Sequence, residues 1–368
     1  MKRVLLISSI VIFLQACVSS PQVSLDTPPI TPTYKVLTSD IPAPTKTPSP
    51  PHTLTFTPTI TQIPTSTQIP SRTPTSTYTS TPTSPPVGGG EGVVYYGDDD
   101  GINRINPDGS QRSRIITITN EYFSLRESTK DGKFLSYHEP GKGYRISNDG
   151  KIIECIEGKM FSLNTDGSFF NPNSYSFIPE GFFGSLSSDD RYAAGSVKVK
   201  EPNYRDLVVA NMSEKQSTTI VTTAFFKSWS PDSSRILYAK WTSKKGCADW
   251  WTINPDGTDK RKVFECEGKP WGGIWSPGSE YIAFYLIPGY MGCSIDIKIL
   301  EVISTKWWPL TLGKNVCSYD WSPDGKFMVY TADPDKNGKF EIYIINVETK
   351  ETNKVLENLD STKGILWR

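Results

Sequence analysis

From Val93 onward the chain is written in short alternating runs of apolar and polar residues: "GVVYY", "KFLSY", "RYAAG", "RILYA", "YIAFY" and "KFMVY". A period of two predicts half-buried strands. All but the first run follow a tight turn, and the turn repeats: "KSWSPDSSRILY" (227–238), "GIWSPGSEYIAF" (273–284) and "SYDWSPDGKFMVY" (318–330). Pro sets φ near −65° at the second turn position, Asp tolerates the third, and Gly325 supplies the positive φ that follows. A second turn, "NPDG", stands at Asn106–Gly109 and Asn254–Gly257 after other strand-like runs.

Spacing assigns these hairpins to one architecture. Trp229, Trp275, Trp321 and Trp367 fall at intervals of 46 residues. A period of about 40–50 residues holding four short strands marks a β-propeller. Two weaker copies, "STKDGKFLSY" (128–137) and "SLSSDDRYAAG" (185–195), place Ser128 and Leu186 where the Trp would stand. The 58 residues between those two positions predict an insertion within 159–181. Each repeat reads as strands A to D, with the Trp closing A. The six apolar runs are the B strands, so the expected fold is all-β, a six-bladed β-propeller. The folded region opens on a B strand near Gly92 and stops at an A strand, "GILWR" (364–368). Three N-terminal strands and one C-terminal strand would then share the first blade, a 3+1 closure that leaves no open sheet edge.

The W-S-P-D-G turn with a later "EIYIIN" strand resembles the PD40 (WD40-like) repeat of TolB-like β-propellers, and is similar to the propellers of prolyl-oligopeptidase relatives. The resemblance covers roughly residues 91–368 and is specific in the last three or four repeats. It implies the fold, and protein–protein contacts by analogy with TolB-like proteins, because propellers host many unrelated functions. Nothing upstream resembles the N-terminal domain of TolB, and no hydrolase domain follows the propeller.

The first 90 residues read as an address and a spacer. "MKR" is a basic n-region and "VLLISSIVIFL" an apolar h-region of signal-peptide length. They lead into "LQAC" (14–17), which looks like a bacterial lipobox, with Cys17 as the lipid-attachment residue and new N-terminus. Gln15 is an uncommon occupant of that motif, and the alternative is an ordinary secretory signal. The expected domains are a lipoprotein signal peptide at 1–16, a lipidated N-terminus and disordered Pro/Thr/Ser-rich stalk at 17–90, and the propeller at 91–368. About two-thirds of residues 21–86 are Pro, Thr or Ser, which cannot bury a core and favours extended states. Such a stalk could reach about 200 Å and carry O-linked sugars. The expected location is membrane-anchored, on the extracytoplasmic side of the cell envelope.

Charge removes one class of partner. Lys+Arg and Asp+Glu are equal at 39 each, so no field draws nucleic acid, and a monomer is expected. The cysteines fit an oxidising compartment. Cys247 and Cys266 are equidistant from the NPDG turn, and Cys293 and Cys317 from the next C–D turn at "ISTK". Residues equidistant from a turn face one another in an antiparallel hairpin, so two disulfides closing C–D hairpins are expected. Cys155 has its opposite number near Lys142, so it is expected to be a buried free thiol.

Catalysis is disfavoured by composition. The propeller region holds one histidine, His138, at the end of a B strand, and there is no G-x-S-x-G elbow. Some PD40-like propellers are polysaccharide lyases, expected to need several histidines; paired carboxylates stay open. No cofactor is required. "DPDKNGKFE" (333–341) sets Asp333, Asp335, Asn337 and Glu341 as oxygen ligands around a Gly bend, a pattern that suits a structural Ca²⁺. B–C hairpins are rich in such residues anyway, as "GDDDG" (97–101) illustrates.

The repeat-position Trp residues are expected to wedge between blades. Trp241, in a B–C connection, Trp271, in a D–A connection, and Tyr290 all fall on the propeller face that carries those two connection types. The expected function is a non-catalytic binding module that engages a protein or peptide there. The alternatives are glycan binding through the same aromatics, or a carboxylate-based enzyme acting on polysaccharide.

Overall fold

The computed structural model describes residues 90–157, 162–200, 204–243, 247–267, 270–286, 293 and 296–368, apart from the side chains at 200, 204 and 271. The expected signal peptide, lipid-attachment residue and stalk lie outside these residues, as does Tyr290.

Six antiparallel four-stranded sheets form the blades. Blade one holds β1 (Val94–Asp98), β2 (Gly101–Ile105) and β3 (Ser113–Thr117). Blade two is β4 (Ser124–Ser128), β5 (Phe134–Glu139), β6 (Lys142–Ser147) and β7 (Ile152–Glu157). A two-stranded hairpin, β8 (Ser162–Leu163) and β9 (Phe169–Phe170), and a 3-10 turn at Pro172–Ser174 follow. They occupy the expected insertion. Blade three is β10 (Phe183–Leu186), β11 (Tyr192–Lys200), β12 (Tyr204–Asn211) and β13 (Gln216–Val221). Blade four is β14 (Phe225–Trp229), β15 (Ile236–Trp241), β16 (Ala248–Ile253) and β17 (Arg261–Phe264). Blade five is β18 (Pro270–Trp275), β19 (Tyr281–Leu286), β20 (Lys298–Glu301) and β21 (Trp307–Pro309). Blade six is β22 (Val316–Trp321), β23 (Phe327–Ala332), β24 (Phe340–Asn346) and β25 (Thr352–Leu359). The last strand, β26 (Ile365–Trp367), pairs with β1, so blade one reads β26-β1-β2-β3 and the closure is three strands plus one.

The core is six apolar clusters, most of them shared by two consecutive blades. The repeat Trp residues serve as the expected wedges, all buried. Three of them also fix the seams by donating Nε1–H to a carbonyl: Trp229 to Ser185 (3.0 Å), Trp321 to Ile274 (3.1 Å) and Trp367 to Glu91 (2.9 Å).

The A–B turns share one hydrogen-bond scheme. In blades two, three, four and six the Ser or Thr that opens the turn donates to the Asp two residues on, as from Ser322 to Asp324 (2.6 Å), Ser187 to Asp189 (2.6 Å) and Thr129 to Asp131 (2.7 Å), whereas blade five has Gly278 at that position. The same hydroxyl accepts from the first strand-B amide, as from Phe327 N–H to Ser322 (2.9 Å). The positive-φ position is Gly in blades two and six, as expected, but Asp190, Ser233 and Ser279 in blades three to five. Each non-glycine there is tied to a neighbour. Asp189 N–H donates to Ser233 Oγ (3.1 Å), Asp232 N–H to Ser279 Oγ (3.3 Å), and Thr165 of the β8–β9 hairpin donates to Asp190. A left-handed residue costs about 1 kcal/mol, which a hydrogen bond between adjacent turns offsets.

Two faces follow from this topology: a turn face of A–B and C–D reversals, and a loop face of B–C and D–A connections. The chain enters at the turn face. Glu91 meets Trp367 there, and Arg368 N–H donates to Val93 O (2.9 Å).

Candidate partner-binding face

On the loop face, Trp241 ends β15 with 53% of its surface exposed, the edge of its ring set against Phe225 (centroids 5.8 Å apart, planes at 85°). The support beneath it is covalent. Thr242 N–H donates to Cys247 O (3.0 Å), and Cys247 is disulfide-bonded to Cys266 across the open end of the β16–β17 hairpin. The aromatic ring is therefore held on a braced connection, which lowers the entropy lost when a partner covers it. Trp271 lies in β18 opposite Tyr285, at the loop-face end of blade five, as expected for its backbone.

The expected aromatic set undercounts this face. Tyr122 (71% exposed) and Leu312 (74%) stand in D–A connections, Phe183 opens β10, and Val199 lies near the end of β11. With Trp241 they make five of the nine exposed large apolar residues among the described ones. Tyr122 and Leu312 sit in the loop sequences "TNEYFS" and "PLTLGKN", each close to a second apolar residue, Phe123 or Leu310, that is buried, so only the structure separates the exposed one from the core. Phe183 and Val199 carry no signal in the sequence either, because they are exposed only where β11 runs past the start of β10: Phe183 pairs with Ser196, and Lys198 beyond it pairs only with Arg205.

Both expected disulfides are present, Cys247–Cys266 and Cys293–Cys317, but the second does not close a hairpin. Strand β21 ends at Pro309, so Cys317 already belongs to β22 of the next blade, and the bond runs from the B–C connection of blade five to blade six. Counting symmetrically about the turn overran a strand of three residues. Cys155 corrects another expectation. Its cross-strand partner is Tyr144 rather than Lys142, and its sulfur is engaged in a disulfide rather than free. Cys155 lies on β7, the outer edge of blade two, from where its side chain can leave the hairpin.

The 333–341 loop does not gather its oxygens. Asp333 accepts from the amides of Asn337 (3.0 Å) and Gly338 (3.1 Å), and Asn337 Oδ1 accepts from Lys339 N–H (2.8 Å). Glu341 accepts from the Tyr343 hydroxyl and pairs with Lys354 (3.1 Å); these bonds hold its pKa low, although burial acts the other way. Among the described residues no group of three or more His, Cys, Asp and Glu side chains is placed to hold a metal. The "GDDDG" carboxylates face cations instead: Asp100 pairs with Arg114 (2.8 Å), and Asp99 with Lys363 (3.7 Å). His138 is buried at the end of β5, opposite Gly143.

No family model matches the chain, and no curated protein does. Many solved structures do. TolB from Acinetobacter baumannii aligns at 14% identity with a TM-score of 0.50, over 75% of this chain and 66% of that one, just under two thirds of its length. A putative TolB from Agrobacterium tumefaciens aligns at 14% identity and TM-score 0.47, over 76% and 99%. An oligogalacturonate lyase from Vibrio parahaemolyticus aligns at 15% identity and TM-score 0.49, over 73% and 86%. At these identities the likeness is one of fold: this chain carries a six-bladed β-propeller similar to that of TolB.

Proposed function

We propose that the chain is a lipid-anchored, stalked, non-catalytic binding module, and that its loop face engages a protein or peptide partner outside the cytoplasm. The observation that carries this reading is the opposition of the two faces. The chain from the stalk enters beside Trp367 and Arg368 on the turn face. The exposed apolar residues Tyr122, Phe183, Val199, Trp241 and Leu312 lie on the other, together with both disulfides. A binding surface opposite the point where the chain enters the propeller, rigid and apolar at its centres, suits partner capture. Lipid on Cys17 rests on the LQAC sequence, and two or three acyl chains hold firmly at about 0.8 kcal/mol per buried CH₂.

Pull-down from envelope extracts with the full chain tests the face. Trp241→Ala is expected to lose the partner while costing less than about 1 kcal/mol of stability. Retained capture, or an unfolded variant, removes Trp241 from the site. Cys17→Ser is expected to release the protein from membranes, and a variant that stays anchored ends the lipoprotein reading. Glycan binding is the second reading, favoured by the exposed indole at Trp241; a glycan array on the same protein decides between them. Turnover of any polysaccharide would replace binding with catalysis.

A further inference from the structure

Five of the six blade boundaries are sealed by apolar side chains that both blades supply, four of them around a repeat Trp. The boundary between blades two and three is built differently. Leu186 stands at the Trp position there, and it packs with Phe170 and Ile178 of the inserted segment and with Ala193, Val208 and Ala210 of blade three. Among the described residues no side chain of blade two joins this cluster. The insertion is instead bound to blade three. Phe170 stands edge-on to Phe182 (centroids 6.4 Å apart, planes at 80°), and Gly195 of β11 makes room for that second ring, since a Cβ there would come within 2.6 Å of it.

Blade two meets the insertion with polar groups. Glu127, Ser136, Arg145 and Glu154 stand opposite one another across β4, β5, β6 and β7, so their side chains share one side of the sheet. Leu135, Tyr137 and Ile146 pack with blade one on the other side, so the polar row faces blade three. Arg145 lies over the Phe134 ring (5.2 Å to the centroid) and pairs with Glu154 (3.2 Å). The β8–β9 hairpin covers the row at two points. Leu163 N–H donates to Glu127 (2.8 Å), and Gly167 lies so close to Phe134 that a Cβ there would come within 2.3 Å of the ring. Ser136 is opposite the first point and two residues from the second; its hydroxyl, with no exposure, and the Nε of Arg145 beside it are buried without a hydrogen-bond partner.

We propose that the propeller opens as a split ring at the boundary between blade two and the β8–β9 hairpin, the hairpin staying with blade three and the 3+1 closure staying shut. Parting any of the other five boundaries exposes apolar surface on both sides, at a cost that grows with its area. Parting this one lets water reach Ser136 and Arg145, which then gain the hydrogen bonds they lack when it is closed. Local opening follows the boundary with the fewest buried apolar contacts. The closure is the opposite case: Trp367 is fully buried, and its N–H and the Arg368 guanidinium both bind Asp320.

Alkylation of buried thiols in the folded full chain tests this. Ser136→Cys faces the hairpin from blade two, and Ala193→Cys lies in the cluster that holds Phe170 on blade three. Ala283→Cys sits between blades five and six, and Val329→Cys at the closure; all four parent side chains have no exposure. Iodoacetamide is expected to label Ser136→Cys about 100-fold faster than the other three, at a rate that low denaturant leaves unchanged. Should that variant melt early, hydrogen exchange of the unaltered chain decides. Leu163 N–H, bound to Glu127, should exchange about tenfold faster than Trp367 N–H, bound to Asp320. Equal labelling at all four sites, or equal exchange of the two amides, overturns the proposal. So does labelling of Ala193→Cys as fast as that of Ser136→Cys, because the hairpin has then left blade three. Val329→Cys as the fastest site overturns it in favour of opening at the closure.

Discussion

The turn face and the loop face of this propeller are built by different rules. On the turn face one hydroxyl–carboxylate scheme repeats from blade to blade, and neighbouring turns hydrogen-bond to one another. On the loop face large apolar residues stay exposed, and two disulfides brace the connections. Repetition on one side and irregularity on the other teach a division of labour. The turn face holds the ring together, and the loop face is where sequence was spent on something other than folding.

That division breaks if damage to the seam is tolerated. Arg368 pairs with the buried Asp320 (2.7 Å), which also accepts from Trp367 N–H (3.0 Å). Deleting residues 360–368 removes β26 with this network and is expected to abolish cooperative unfolding. Trp367→Ala alone, at a site with no exposure, should cost about 3–5 kcal/mol by chemical denaturation. A truncated protein with an unchanged transition would refute the closure.

The disulfides come next. Replacing Cys247 and Cys266, or Cys293 and Cys317, by Ser should each cost about 3 kcal/mol on the chain-entropy estimate for loops of about 20 residues. Partner capture should fall further than stability does, because the braces lie under the loop face. Peptide mapping without reduction should find both pairs, and a Cys247–Cys293 link would remove the brace argument. The same map locates the partner of Cys155. A thioether on Cys17 leaves that sulfur unable to form a disulfide, so a Cys17–Cys155 peptide would exclude lipid there.

Acid should attack the opposite face. Lys133 and the Thr129 hydroxyl hold Asp131 down at about 2, and Asp108, Asp149 and Asp256 in the C–D turns are lowered by the hydroxyls and amides of Ser110, of Ser147 with Lys151, and of Thr258. Burial would raise Asp189 and Asp232, but the serines and amides of their turns lower them too. A carboxylate with a depressed folded pKa stabilises above its unfolded value, near 4, and loses that contribution as pH falls through the folded one. The melting temperature should therefore be level above about pH 5 and decline between about pH 4 and 2. A decline that begins near neutrality would point to other groups. The smallest effect expected is from calcium. With the oxygens of Asp333, Asn337 and Glu341 already accepting hydrogen bonds, chelator and millimolar Ca²⁺ should give the same melting curve.

The two faces also differ in how far they could be read from sequence. Trp229, Trp275, Trp321 and Trp367, with the Ser-Pro-Asp turns, disclosed the blades, the insertion and the closure, because a repeat forces the same residue into the same place each time. The loop face has no repeat to read. The exposure of Phe183 depends on β11 outrunning β10, and the course of the Cys293–Cys317 bond depends on β21 stopping after three residues. Ser233 and Ser279 went unread for a related reason: a serine at a glycine position makes sense only beside the turn of the next blade.

The point where the chain enters also has a mechanical consequence. A pull transmitted through Gly90 to Val93 acts along β1, which is flanked by β26 on one side and β2 on the other. Ladder hydrogen bonds lie across the strands, so tension in that direction loads both ladders in shear, many bonds at once, instead of peeling them singly. The closing blade is thereby the one best arranged to bear a load applied through the entering chain.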